Sequence, residues 1–150
     1  MPRILIVDDH PFIRRGIQSI LKAFPEWELC GEAENGADAI KLAKDTHPEV
    51  VIMDISMPGI GGIDATRAIH QMDPSAKIIL LTLHDSPDLV RNAFRAGASG
   101  FLLKVDAERE LMKALAIVVA DGSYISPRVP TDVVNAVTHE LKRPRRARTA

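Results

Sequence analysis

The chain has 150 residues, of which 46% are hydrophobic and 26% charged. That is enough to bury one core without disulfides or structural metal, and too apolar for a disordered chain. The formal charge of −1 conceals an acidic body (−6 over residues 1–141) and a basic tail with five cations in the last nine residues, a poor profile for a body that grips nucleic acid. No apolar run approaches the ~20 residues that cross a bilayer. The N-terminus enters ILIVDD with no signal-peptide apolar region, so a cytoplasmic protein with no membrane partner is expected.

Five short apolar runs are expected as strands: Arg3–Val7, Leu29–Ala33, Val50–Met53, Lys77–Leu81 and Gly100–Leu103. The first, third and fourth have almost no polar alternation, as in strands covered on both faces. Cys30, within the second, reads as a small buried residue. Helical periods lie between the runs. Ile13, Ile17, Ile20 and Leu21 form one stripe, and Leu111, Leu115, Val118 and Val119 another; Ala39, Ile40 and Ala43, then Ile63 and Ile69, then Val90, Ala93 and Phe94 mark the rest. Pro11 suits a first helical turn and Gly97 a helix stop. Five β-α units with short connections predict an α/β protein with an open parallel sheet and helices on both faces. This unit, residues 1–122, is followed by an extension, 123–141, with a short helix over Pro130–Leu141. Residues 142–150, KRPRRARTA, read as a basic linker or tail.

Open parallel sheets bind ligands beyond the carboxyl ends of their strands. There the sequence places Asp8 and Asp9, then Asp54, Thr82 and Lys104, up to 96 positions apart. Singly these are ordinary: an Asp pair caps turns, a strand-end Lys is usually solvated, and Thr is a good β-former. Together they suggest chemistry. Three crowded carboxylates repel unless a hard cation joins them. Mg2+ takes oxygen ligands and keeps several waters, so Asp9 and Asp54 suit direct ligation, Asp8 a water-mediated contact, and the Ser56 carbonyl a third protein ligand. Such a site suits phosphoryl transfer, which needs positioning and charge neutralisation. Asp54 would be the nucleophile, with Lys104 and the Thr82 hydroxyl on two phosphoryl oxygens. His10 reads as a loop or cap residue. Gly59, Gly61 and Gly62 would allow unusual backbone angles after the acceptor.

ILIVDDHPFIRRGI, VVIMDISMPGIGGIDATRAI, IILLTLHD, RAGASGFLLK and the helix that follows closely resemble bacterial response-regulator receiver domains over roughly Arg3–Gly122. DDHP, MPGIGGIDATRAI and AGASGFLLK are most similar to the NarL/FixJ type, which carries a LuxR-type output domain. The resemblance implies a flavodoxin-like (βα)5 fold with strand order 2-1-3-4-5. It also implies Mg2+-dependent phosphorylation of Asp54 by a sensor histidine kinase. The domain would be a switch rather than an enzyme, assisting its own phosphorylation and dephosphorylation. Thr82 and Phe101 would be its switch pair; without a tyrosine hydroxyl, Phe101 could report by packing alone. The family often pairs as homodimers and binds DNA through an output domain not present in these 150 residues; the chain is either a receiver from a longer transcription factor, which the linker-like basic tail favours, or a stand-alone receiver. Val105 follows Lys104 where many relatives have Pro, and a trans bond is expected there. A dehalogenase-type phosphatase would need a second Asp at position 56, where Ser stands. A dinucleotide-binding domain would need a Gly-rich loop where DDHPFIRR stands.

Overall fold

In the computed structural model, which describes residues 2–142, the apolar runs become strands and the segments between them helices. Their order is β1 (Arg3–Val7), α1 (Pro11–Lys22), β2 (Glu28–Ala33), α2 (Gly36–Thr46), β3 (Val50–Asp54), α3 (Gly62–Met72), β4 (Lys77–Thr82), α4 (Pro87–Arg95) and β5 (Gly100–Leu103). A 3-10 turn, Lys104–Asp106, leads into α5 (Ala107–Val119), followed by β6 (Tyr124–Ile125) and α6 (Thr131–Lys142).

The sheet is parallel, with order β2-β1-β3-β4-β5-β6. This corrects the expected five strands. Tyr124 pairs with Gly100 and Ile125 with Phe101, which adds a sixth strand at the edge. Two residues are too few for a period-two pattern, and Gly122 and Pro127 on either side read as punctuation. Tyr124 is anchored through its hydroxyl, which donates to Glu110 Oε2 at 2.7 Å.

Side chains alternate between two cores, as the pleat requires. Ile4, Ile6, Val50, Ile52, Ile79, Leu81 and Leu102 face α1 and α5, which contribute Ile17, Leu21, Leu111, Leu115 and Val118. Leu5, Val7, Val51, Met53, Ile78, Leu80 and Phe101 face α2, α3, α4 and α6. Val50–Asp54 is buried throughout, which explains its unbroken apolar reading. Val129, Val133 and Val137 enter the second core beside Val90, Ala93 and Phe94 of α4. The segment from Tyr124 to Val137 therefore folds onto the same sheet. Apart from Lys142, the basic tail lies outside the described residues. Cys30 is half-buried rather than buried, because β2 is an edge strand; its thiol donates to Thr46 Oγ1 at 3.6 Å.

Chain order runs outward from β1 to β2, then crosses back to β3. The reversal opens a crevice at the carboxyl ends of β1 and β3.

Candidate functional site

The two strands beside that crevice end in acids held by the same local device. At the end of β1, Asp8 Oδ1 accepts the His10 amide at 2.9 Å; at the end of β3, Asp54 Oδ1 accepts the Ser56 amide at 3.2 Å. Each is a side chain capturing the backbone two residues on, a turn that Asp favours. The first turn hands the chain to α1, with His10 at the N-cap position and Pro11 in the first helical turn. The second is closed by Gly62, whose amide donates to the Ile55 carbonyl at 2.9 Å. A Cβ at Gly62 would collide with the Asp54 carbonyl oxygen and lie 2.8 Å from Ile55 Cα. Close approach explains this glycine, whereas the positive φ expected of the loop occurs at Gly59, at 74°.

The structure brings Asp8, Asp9, Asp54 and Lys104 together. Carboxylate oxygens of Asp8, Asp9 and Asp54, with a ring nitrogen of His10, all lie within 4.8 Å of one another. Lys104 Nζ stands 3.3 Å from Asp54 Oδ1 and 3.5 Å from Asp8 Oδ2, so one ammonium is shared by two buried carboxylates. The Asp8 side chain is 0% exposed and that of Asp54 3%, against 28% for Asp9. Burial, then the Asp8 charge, push the Asp54 carboxyl above its ordinary value; Lys104 and the Ser56 amide pull it back only in part. Asp8 Oδ2 and Asp9 Oδ1 are buried and make no hydrogen bond, although Lys104 Nζ stands 3.5 Å from the first and His10 Nδ1 3.1 Å from the second. His10 Nδ1 lies 3.0 Å from Asp8 Oδ1 and 3.1 Å from Asp9 Oδ1, closer to the acids than a plain cap residue.

Thr82 ends β4 beside these acids, 2% exposed, and its Oγ1 accepts the His84 amide at 3.1 Å. Phe101 pairs with Leu80 on β4, two residues before Thr82, so the ring and the hydroxyl face the same layer of helices. The ring is fully buried. No cis peptide occurs among the described residues, so the Lys104–Val105 bond is trans.

Two contacts near the site have no counterpart in the sequence reading. Arg14 of α1 donates from Nη1 to the Asp8 carbonyl at 2.6 Å. Asp106, two residues past Lys104, is buried and accepts from Ser126 Oγ and, at 2.7 Å, from Arg128 Nε. The Asp106 contacts link residues 20 and 22 positions apart, and the Arg14 contact runs back across the turn between β1 and α1, so neither follows from the periodicity of one element. The nearest sequence signal for Arg14 is its place one turn after His10, facing back toward the acidic turn.

Residues 4–116 match the family model of the response regulator receiver domain. The chain belongs to that family. The receiver is 37% identical over 132 residues to transcriptional regulatory protein DegU of Brevibacillus brevis, covering 88% of this chain and 56% of that protein. It thus spans little more than half the length of the curated relatives it matches. Among solved structures, a two-component response regulator of the LuxR family from Aurantimonas sp. SI85-9A1 superposes with a TM-score of 0.82 at 36% identity, covering 93% of this chain and 96% of that one. The isolated receiver of RcsB from Salmonella enterica serovar Typhimurium, solved with the phosphomimetic BeF3-, gives 0.78 at 30% identity, covering 88% and 97%. The receiver is therefore a signalling switch domain of the LuxR/NarL type. No helix among its described residues is long and apolar enough to cross a membrane.

Proposed function

We propose that Asp54 accepts a phosphoryl group from a phosphohistidine on a sensor kinase. The single observation that carries the reading is the Asp8–Asp9–Asp54 cluster with the Lys104 ammonium shared between two of its members. The Ser56 amide and Lys104 both engage Asp54 Oδ1, which leaves Oδ2 as the attacking atom. An Oδ2–P bond forms as the P–N bond breaks, and the departing imidazole nitrogen takes a proton. Lys104 is already beside Asp54 and needs only a short swing to hold a phosphoryl oxygen. Thr82 exchanges its contact with the His84 amide for one to another phosphoryl oxygen.

The acids fit Mg2+: three crowded carboxylates sharing one ammonium, with two buried oxygens that make no hydrogen bond, are what a hard divalent cation satisfies. Asp9 and Asp54 would hold it directly, Asp8 through water and Ser56 by its carbonyl. When bound it neutralises charge on the transferring group. In the same way the site would assist its own dephosphorylation.

Acetyl phosphate with Mg2+ tests the acceptor by intact mass. One added phosphoryl group on wild type and none on Asp54→Asn is expected; an unchanged wild-type mass with both acetyl and carbamoyl phosphate would overturn the reading. The Thr82 movement would repack Phe101 and alter the α4 surface. Unchanged hydrogen exchange over residues 87–103 on adding beryllofluoride would remove Phe101 from the readout. By kinship, the phosphorylated receiver would form homodimers and regulate transcription in the cytoplasm through an output domain that contacts DNA. RcsB from Salmonella enterica serovar Typhimurium has been solved bound to the rprA promoter.

A further inference from the structure

Arg14 sits at the edge of the acidic turn with only 12% of its side chain exposed. Its guanidinium joins three places. Nη1 donates to the Asp8 carbonyl at 2.6 Å, Nε donates to Glu32 Oε1 on β2 at 3.2 Å, and Nη2 lies 3.6 Å from Glu34 Oε1 just beyond β2. The planar fork makes such divergent bonds with little further loss of freedom. The carbonyl it grips belongs to the peptide that joins Asp8 to Asp9. Fixing that peptide plane fixes where both Cα atoms sit and how both carboxylates leave the backbone. The His10 amide and ring secure the carboxylate side of the same turn, and Arg14 secures the carbonyl side.

We infer that Arg14 is a positioning residue for the divalent-cation site, acting through the Asp8–Asp9 peptide. It touches neither the phosphoryl group nor the cation. The inference rests on the reading of the acidic cluster as an Mg2+ site. Its charge and its geometry predict opposite signs, which makes it testable. A guanidinium near a cation site repels the cation, so losing the charge alone would tighten binding. Losing an outer contact that orients ligands weakens metal affinity, typically 10–100-fold.

The experiment titrates Mg2+ by calorimetry into the wild-type protein, Arg14→Ala, Arg14→Lys and Asp9→Asn, and records the metal-free melting of each. Arg14→Ala is expected to bind about tenfold more weakly, at the low end for outer-shell changes. Arg14→Lys keeps the charge and one donor but not the fork, and is expected to lose about threefold. Affinity equal to or tighter than wild type in Arg14→Ala overturns the inference, even if its melting point falls, since a purely structural role would move melting alone. If Arg14→Ala does not fold, Arg14→Lys decides: weakened binding supports the inference and unchanged binding overturns it. Asp9→Asn separates the two levels. No Mg2+ binding by wild type, or wild-type binding by Asp9→Asn, would sink the metal-site reading itself.

Discussion

Asp54→Asn should make the metal-free protein more stable at neutral pH. The carboxylate is nearly unexposed, and taking such an ion out of water costs several kcal/mol after relaxation. Repulsion from Asp8, within 4.8 Å, adds about 3.5 kcal/mol at an effective dielectric of 20. Against this, Lys104 at 3.3 Å returns about 5 kcal/mol on the same basis. The Ser56 amide contributes about 1 kcal/mol more, and Asn can still accept it. The balance favours Asn by about 1–2 kcal/mol, or ~2–8 °C in a chain of this size. Lys104 is not stranded, since Asp8 remains 3.5 Å away. The sign with pH follows from the raised Asp54 value. The wild-type penalty is present while Asp54 is ionised and fades as pH falls through its elevated value, where the carboxyl becomes neutral like Asn. Calorimetric melts without divalent ions, at pH 7.5 and in steps towards 4, measure this. A variant that melts at or below wild type at pH 7.5, or a difference indifferent to pH, would refute the reasoning. Adding Mg2+ should narrow the gap, because wild type alone keeps the full ligand set.

Ser126→Ala leaves one oxygen of buried Asp106 without its donor and should cost about 1.5–3 kcal/mol, or ~3–12 °C of melting temperature. Burial pushes the Asp106 carboxyl up, but Ser126 and Arg128 outweigh it and hold it below its ordinary value. The deficit should therefore be full at neutral pH and shrink once acid protonates Asp106; an equal deficit at pH 3 would contradict this. Gly62→Ala forces a methyl group against the backbone of Asp54 and Ile55, atoms that cannot turn aside. It should lose about 1–3 kcal/mol in urea unfolding and bind Mg2+ more weakly. A wild-type midpoint would show that α3 shifts freely.

The acids and the lysine were legible because each sits where a strand stops, and the strands announce themselves by unbroken apolar runs. Asp54 ends Val50–Asp54, a strand buried at every position, and Lys104 follows a strand buried throughout. Their convergence then follows from parallel topology alone. Two kinds of feature were not legible. Tyr124–Ile125 is a strand only because β5 offers an open edge, and nothing in two residues encodes that. The Arg14–Asp8 and Ser126–Asp106 bonds, six and 20 positions apart, each join a side chain to a different element or turn. They depend on the final distances between elements rather than on spacing within one. Gly62 stands between these cases: a glycine after the acceptor invited an argument from backbone freedom, but the steric reason needed the approach of α3 to Asp54.

The contribution of Val129, Val133 and Val137 to the core bears on how this switch can be joined to other modules. A chimaera spliced at Gly122 would strip the edge from β5 and remove Val129, Val133 and Val137 from the core they share with α4. Grafted sensors should instead keep the chain through α6 and begin the foreign sequence after Lys142. In such fusions α6 becomes the mechanical lever: its first residues sit in the receiver's core, and its last ones set the direction in which the attached module leaves.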